Sequence, residues 1–282
     1  MLKLDINDIP DRLQQIPSPP KQLYVLGNAG LLNCKYTLSV VGSRKMTSYG
    51  NFVTNHLITE VASQGVVIVS GLALGVDAAA HRAALEVNGS TIAVLPCGLN
   101  AIYPATNRGL AKLILENNGL LISEYDYGMP ALVQNFIARN RLVSGLGDGL
   151  LVTESGVKSG TIHTANFALE QGKTVMAVPG NINSPTSQGT NNLIQTGATP
   201  VTSPTDILNA LNLEVSNKNK QEIFPSNENE SIILEIIQSG TTDSSEILLI
   251  SRMDGRVFNQ TLTTLEITKK IKPTGAGHYT VY

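Results

Sequence analysis

The residue groups in this chain best suited to chemistry are anion-binding turns. Gly42-Ser43-Arg44-Lys45 cuts off an apolar run, Thr37 to Val41, and a helical pattern begins after Tyr49. A strand, a small-residue turn and a helix N-terminus form an anion site when backbone N–H groups point outward and the helix dipole adds partial positive charge. Gly42 lets a backbone or phosphate approach closely, Ser43 adds a donor, and Arg44 adds a planar fork suited to phosphate oxygens. Lys45 adds a second positive charge. Taken alone, this turn fits equally an ordinary strand–helix connection with a surface arginine.

Similar turns recur. Glu154 to Thr161 sets small residues and Lys158 before a helical pattern, with Ser159, Gly160 and Thr161 at its start, which again describes a phosphate cup. It is not a Walker A loop, because the lysine precedes the second glycine. Gly172-Lys173-Thr174 is not one either, since it follows a helix and Phe167 occupies the place of the first glycine. Gly71 and Gly75 bracket a tight crossing, and Asp77 is placed to cap the helix carrying His81 and Arg82. Their spacing is not the dinucleotide fingerprint, so that turn also reads as plain structure. In the loop from Pro96 to Arg108, Tyr103 either stacks on a base or covers the core, and Arg108, beside Asn107, reaches toward phosphate. In Gln134 to Arg141, Asn135, Phe136 and Asn140 accompany Arg139 and Arg141 on an otherwise apolar helix. Two residues apart, the arginines point to different faces. Either one faces a ligand while the other anchors a loop, or both are solvated.

The elements that hold these groups alternate. Strand patterns lie near 37–41, 66–70, 91–95, 120–123, 149–153, 174–178 and 199–202. Helical patterns lie near 49–64, 77–87, 107–118, 132–145, 160–171, 190–196 and 204–211, with Phe52, Val53, Leu57, Val61 and Ala62 on one face of the first. Such alternation predicts an α/β fold with a mostly parallel sheet and helices on both faces. Ligands then bind beyond the carboxyl ends of the strands, where the turns above lie. Residues 1–36 read as an arm broken by Pro10, Pro17, Pro19 and Pro20, with a short strand or turn over Leu23 to Leu26. Residues 213–228 are polar and read as a linker. From 229 to 282, three short helical patterns and a hairpin around Gly275 and Gly277 make a winged helix-turn-helix, with Asp243 and Glu246 spaced as a capping box.

Composition limits the partners. The chain has 282 residues, 42% of them hydrophobic, and a formal net charge of −2, so any anion binding is focal. Two cysteines, Cys34 and Cys97, give no disulfide framework or metal spacing and suggest a reduced, cytoplasmic protein. No apolar run approaches membrane length, and MLKLDINDIP has no apolar signal core.

With these segments laid out, the chain resembles the DprA/Smf DNA-processing family. The matching words are VGSRKMTSYG at 41–50, SGLALGVDAAAH at 70–81, IAVLPCGLNAIYPATN at 92–107, LISEY at 121–125, QNFIARNRLVSGL at 134–146, SGTIHTA at 159–165, AVPG at 177–180 and GTNNLIQTGA at 189–198. The likeness runs from about residue 10 to 212, and the tail resembles the winged helix that many members carry. It implies a Rossmann-like domain over 37–212 that binds single-stranded DNA, partners the recombinase RecA, loads it during natural transformation and pairs as a homodimer, with no cofactor. It implies strand binding by Ser43, Arg44 and Lys45, by the Arg139-Asn140-Arg141 segment and by Lys158 to Thr161. Ile137 departs from a frequent proline, His163 departs from an apolar residue, and no helical domain precedes the arm. The other class considered is an enzyme of the LOG-type phosphoribohydrolase kind, which shares a loop like 159–161. That group needs a glutamate three residues after the threonine, where this chain has Thr164, so a binding protein without catalysis is the expectation.

Overall fold

Short runs of β-branched and apolar residues, each closed by a turn, form the strands, and the amphipathic stretches between them form the helices. The computed structural model describes residues 2–213, 225–268, 270–275 and 277–281. In chain order the first unit contains β1 (Leu2–Asp5), α1 (Asp11–Gln14), β2 (Gln22–Gly27), β3 (Thr37–Val41), α2 (Ser48–Ser63), β4 (Val67–Ser70), α3 (Val76–Glu86), β5 (Thr91–Val94), α4 (Arg108–Glu116), β6 (Leu120–Ser123), α5 (Val133–Leu146), β7 (Gly149–Val152), α6 (Gly160–Glu170), β8 (Thr174–Ala177), α7 (Gln188–Gln195), β9 (Thr199–Pro200) and α8 (Pro204–Ala210).

These strands join in the order β1-β2-β6-β5-β4-β3-β7-β8-β9. From β6 to β9 the pairings are parallel, in register Leu38 with Ile68 and Ser39 with Leu150, for example. One face is packed by α1, α5, α6 and α7 through Leu13, Leu142, Leu146, Ala165 and Leu193. The other face is packed by α2, α3, α4 and α8 through Ile58, Ala80, Ile114 and Ile207. The expected α/β fold with helices on both faces is the observed one.

The arm differs from its expectation. β1 pairs with β2 and β2 with β6, both antiparallel, so the arm extends the sheet by two strands. Arg12 fastens the arm by donating to the Thr37 hydroxyl (2.5 Å), the Leu146 carbonyl (2.8 Å) and the Cys34 carbonyl (2.7 Å). β2 meets its partner about a hundred residues later in the chain, and no local pattern announces such a pairing. Of the residues read on one face of α2, Leu57, Val61 and Ala62 are buried, whereas Phe52 is 67% exposed.

The chain divides into two compact units, 1–215 and 216–282. The second contains α9 (Glu228–Gln238), α10 (Ser244–Ser251), α11 (Gly255–Ile267), β10 (Ile271–Gly275) and β11 (His278–Val281) around Ile233, Ile247, Phe258 and Leu265. Three helices and a hairpin give the winged-helix arrangement. Asp243 caps α10, accepting from Ser245 N (2.9 Å) and Glu246 N (3.1 Å), while the full capping box forms at Ser203 and Asp206 in front of α8. The third helix starts at Gly255, so it includes Arg256 in its first turn. Lys270 is bound to Glu230 at 2.6 Å and to Ser226 at 2.7 Å. Burial pushes the Glu230 carboxyl up, and these partners outweigh that and hold it below the usual carboxylate range. Residues 214–224 of the expected linker, and Lys269, lie outside the described residues.

Candidate nucleic-acid interface

Strand order decides where a ligand can sit. β3 lies between β4 and β7, so the connections leaving β3 and β7 diverge and leave a crevice beyond their carboxyl ends. A cleft of about 650 Å³ occupies that crevice. Its walls are the β3–α2 turn (Gly42 to Lys45), the N-terminal half of α5 (Phe136, Ile137, Asn140) and the start of α6 (Ser159, Gly160, Thr161), with Tyr103 from the β5–α4 loop.

The β3–α2 turn is held from below. Ser43 N donates to the Glu154 carbonyl at 2.7 Å, and the Ser43 carbonyl accepts from Val76 N at 3.2 Å. A Cβ on Gly42 would lie 2.6 Å from Val76 Cγ2 and 2.9 Å from the Glu154 carbonyl, so glycine is required by packing. Gly75 has φ 75° and lies against the Ser43 carbonyl, which fixes the second glycine.

The expected outward-pointing amides are largely spent inside the protein. Glu154, 2% exposed, accepts from Thr47 N at 2.9 Å and so places a carboxylate at the N-terminus of α2. Gly50 N donates to the Thr47 hydroxyl, and Lys45 N donates to the Ser43 hydroxyl. At α6, Thr161 N donates to Ser159 Oγ at 3.2 Å. Anion binding here therefore falls to side chains. Arg44 and Lys45 are exposed, and neither side chain has a hydrogen-bond or ion-pair partner among the described residues. The Arg44 guanidinium sits 5.2 Å from the Phe136 ring centroid, and Tyr103 meets the same ring edge-on at 5.3 Å. Arginine, phenylalanine and tyrosine thus offer a charge for phosphate and flat faces for a base.

The profile of the DNA recombination-mediator protein A family matches residues 1–212. The chain belongs to this family. It is 44% identical over 211 residues to Protein Smf of Escherichia coli, and 39% identical over 213 residues to the DNA processing protein DprA of Bacillus subtilis. These matches cover 75% and 73% of the chain, but 56% and 71% of the relatives. Among solved structures, DNA processing protein A from Streptococcus pneumoniae superposes with TM-score 0.70 at 40% identity, covering 74% of this chain and 73% of that one. The Helicobacter pylori protein, described for its single-stranded DNA binding mode, superposes with TM-score 0.67 at 36% identity, covering 74% and 94%.

On this family scaffold the Arg-Asn-Arg segment of α5 divides. Arg139, 3% exposed, forms part of the cleft floor, but its guanidinium donates to the Gly71 carbonyl at 2.5 Å and to the Val94 carbonyl. It braces the β4–α3 loop. Burial pushes the Arg139 guanidinium down and the Asp77 carboxyl up from their ordinary values, and attraction between the two offsets part of both. Arg141 is turned away from the cleft and forks onto Glu124 at 2.6 Å and 2.7 Å. Of the three, Asn140 keeps its side chain toward the cleft without such a tie.

Several other expected site residues support the cleft from behind. Asp77 does not cap α3; its carboxylate accepts from Gly71 N (3.1 Å) and Ala73 N (3.3 Å), fixing the loop that Gly71 opens. Asn107 is buried and donates to the Leu72 and Ala73 carbonyls, and Asn135 donates to the Pro96 carbonyl. Arg108 and Lys158 are exposed but do not line the cleft. His81 is fully buried; Thr91 Oγ1 already donates to the Ile68 carbonyl, so the imidazole Nδ1 donates to Thr91. Burial holds its pKa down to about 3, and the ring is neutral. Sequence reasoning missed Glu154 as a brace, because a buried carboxylate at a strand end looks locally like any loop glutamate. It also missed Thr164 as a cleft residue, although its place one turn after Thr161 was a usable signal.

Proposed function

We propose that this family member binds single-stranded DNA in the cleft and, as a recombination mediator in natural transformation, delivers that strand to a RecA-type recombinase. The observation that carries this reading is the Arg44–Phe136–Tyr103 group, in which an unpaired guanidinium stands over the Phe136 ring, itself met edge-on by Tyr103, in an open crevice. Arg44 and Lys45 neutralise phosphates, Phe136 takes an unpaired base, and Ser43, Asn140, Ser159 and Thr161 add hydrogen-bonding groups. The likeness to the Helicobacter pylori protein, itself a single-stranded DNA binder, supports the choice of ligand. A strand preference follows from the focal charge. Residues 1–213 carry 13 Lys and Arg against 13 Asp and Glu, which gives no broad basic face for a duplex.

The proposed role is binding without catalysis. Thr164 stands where a phosphoribohydrolase would need its glutamate, and a threonine hydroxyl does not act as a base near neutral pH. No cluster of His, Cys, Asp and Glu able to hold a metal occurs among the described residues, and no described helix is long and apolar enough to cross a membrane. We further propose a cytoplasmic homodimer, in which two clefts raise avidity on one strand. The test is fluorescence anisotropy with single- and double-stranded oligonucleotides across salt, with light scattering for mass. Clear single-strand preference and a dimer mass support the reading. Equal affinity for duplex, or release of free base from nucleoside monophosphates, overturns it.

A further inference from the structure

Surface helices of α/β proteins turn polar residues to solvent, and α2 turns large aromatic rings there beside its polar ones. Tyr49, Phe52 and His56 stand at i, i+3 and i+7, so they share one face of the helix. Phe52 is 67% exposed and Tyr49 46%. The Phe52 and His56 rings stack with centroids 6.0 Å apart and planes 10° apart. The Tyr49 hydroxyl donates to the Pro179 carbonyl at 2.7 Å, which holds its ring in place. That ring borders a second cleft of about 640 Å³, closed on its far side by Gly180, Asn181 and Ser184 of the β8–α7 loop. A side chain whose polar end is already bonded and whose ring is open to solvent is a preorganised stacking plate.

The position of this stripe indicates its occupant. Thr47 and Tyr49 border the second cleft, and Arg44 and Lys45, in the same turn, border the first. The β3–α2 turn therefore separates the two clefts, and a chain leaving Phe136 over Arg44 and Lys45 arrives at Tyr49. Helix α2 contains no lysine or arginine, so it has nothing to neutralise phosphates with. What it offers is aromatic surface, and only unpaired bases have free faces to use it.

Building on the reading of the first cleft, we propose that Tyr49, Phe52 and His56 form a second, stacking subsite that extends the single-strand track along α2. It recognises bases irrespective of identity and contributes affinity that salt does not screen. Its size along the helix, about 10 Å from residue 49 to residue 56, is enough for a few nucleotides beyond the first cleft.

The test compares thymidine oligonucleotides of roughly 6 and roughly 16 nucleotides, spanning the ordinary range of single-strand sites, against the whole 282-residue chain and its variants. The double variant Tyr49→Ala/Phe52→Ala is expected to bind the longer oligonucleotide about tenfold or more weakly, the scale of one or two lost base–aromatic stacks. It should bind the shorter one as the unmodified protein does, with the same slope of affinity against salt. Melting temperature and solution mass should be unchanged, and Tyr49→Phe, which keeps the ring, should retain most of the affinity. Equal losses on both lengths, no loss on either, or a change in mass would overturn the subsite; the last would mean that a second copy covers this face. If the unmodified protein binds neither length, the proposed function fails and the subsite with it. If it binds both and only the variants fail to discriminate length, the subsite alone is wrong.

Discussion

Arg44 and Arg139 border one cleft in opposite roles. Arg44 makes no hydrogen bond among the described residues and stands exposed over Phe136, whereas Arg139 is buried and donates to the carbonyls of Gly71 and Val94. The same side chain is left free for a ligand in one place and shapes the site in the other. What separates them is the surrounding backbone. Carbonyls at the ends of β4 and β5 need donors once helix α5 covers them, and Arg139 is the group that reaches them. At the β3–α2 turn, Glu154 and nearby hydroxyls satisfy the amides instead, and Arg44 keeps its donors for a ligand. Two arginines that the resemblance assigns alike to strand binding therefore separate into one left free and one used as a brace.

The sharpest way to break this comparison is at Arg139. Arg139→Met should destabilise the first unit by about 3–5 kcal/mol, because two buried carbonyls lose their donor and Asp77 its neighbouring positive charge. Chemical denaturation would read the loss, and strand affinity should fall only with the folded fraction. A stable variant with selectively weakened binding would place Arg139 on the ligand. Arg44→Ala should do the reverse, costing roughly 1–3 kcal/mol of single-strand affinity with an unchanged melting temperature. The loss should be the same for every sequence, since phosphate contacts carry no base identity. Unchanged affinity at low salt would remove the turn from the interface.

Arg141 sharpens the comparison from a third position. Its fork to Glu124 is largely buried, so Arg141→Ala should cost about 2 kcal/mol of stability, the scale of a lost charge-assisted hydrogen bond, and leave strand affinity alone. A drop in affinity matching that of Arg44→Ala would return Arg141 to the interface. The smallest effect is expected from ending the chain after Leu213. Residues 228–282 carry five Lys and Arg against seven Asp and Glu, and Lys270 is already held by Glu230. Single-strand affinity and its salt slope should stay nearly unchanged. A tenfold loss in a fragment that keeps its fold and mass would make the winged helix a DNA-binding element.

Much of this was legible in the chain itself. Alternating strand and helix patterns depend on neighbours within a dozen residues, so the element order from β3 to α8 follows from local chemistry. The parallel sheet follows from that order, and so does the placement of the glycine-containing turns along its carboxyl edge. Gly42 and Gly75 were recognisable as close approaches, although what each one meets was not. The resemblance of the ordered motifs pointed to the family before any fold was known.

Contacts between distant segments decided the rest. β2 pairs with β6, Arg12 reaches Leu146 across 134 positions, and Glu154 meets Thr47 across 107, none of which leaves a periodic trace. Helical spacing could say that Arg139 and Arg141 face apart, but not that one meets bare carbonyls and the other a carboxylate. It also grouped Phe52 on one face with Leu57, Val61 and Ala62, because a period of 3.6 identifies a stripe without saying how much of it the sheet will cover. The sequence thus determined which residues could serve an anion-binding cleft. The tertiary structure decided which of them remain free to do so, because a charged group's role depends on whether the folded chain already satisfies it.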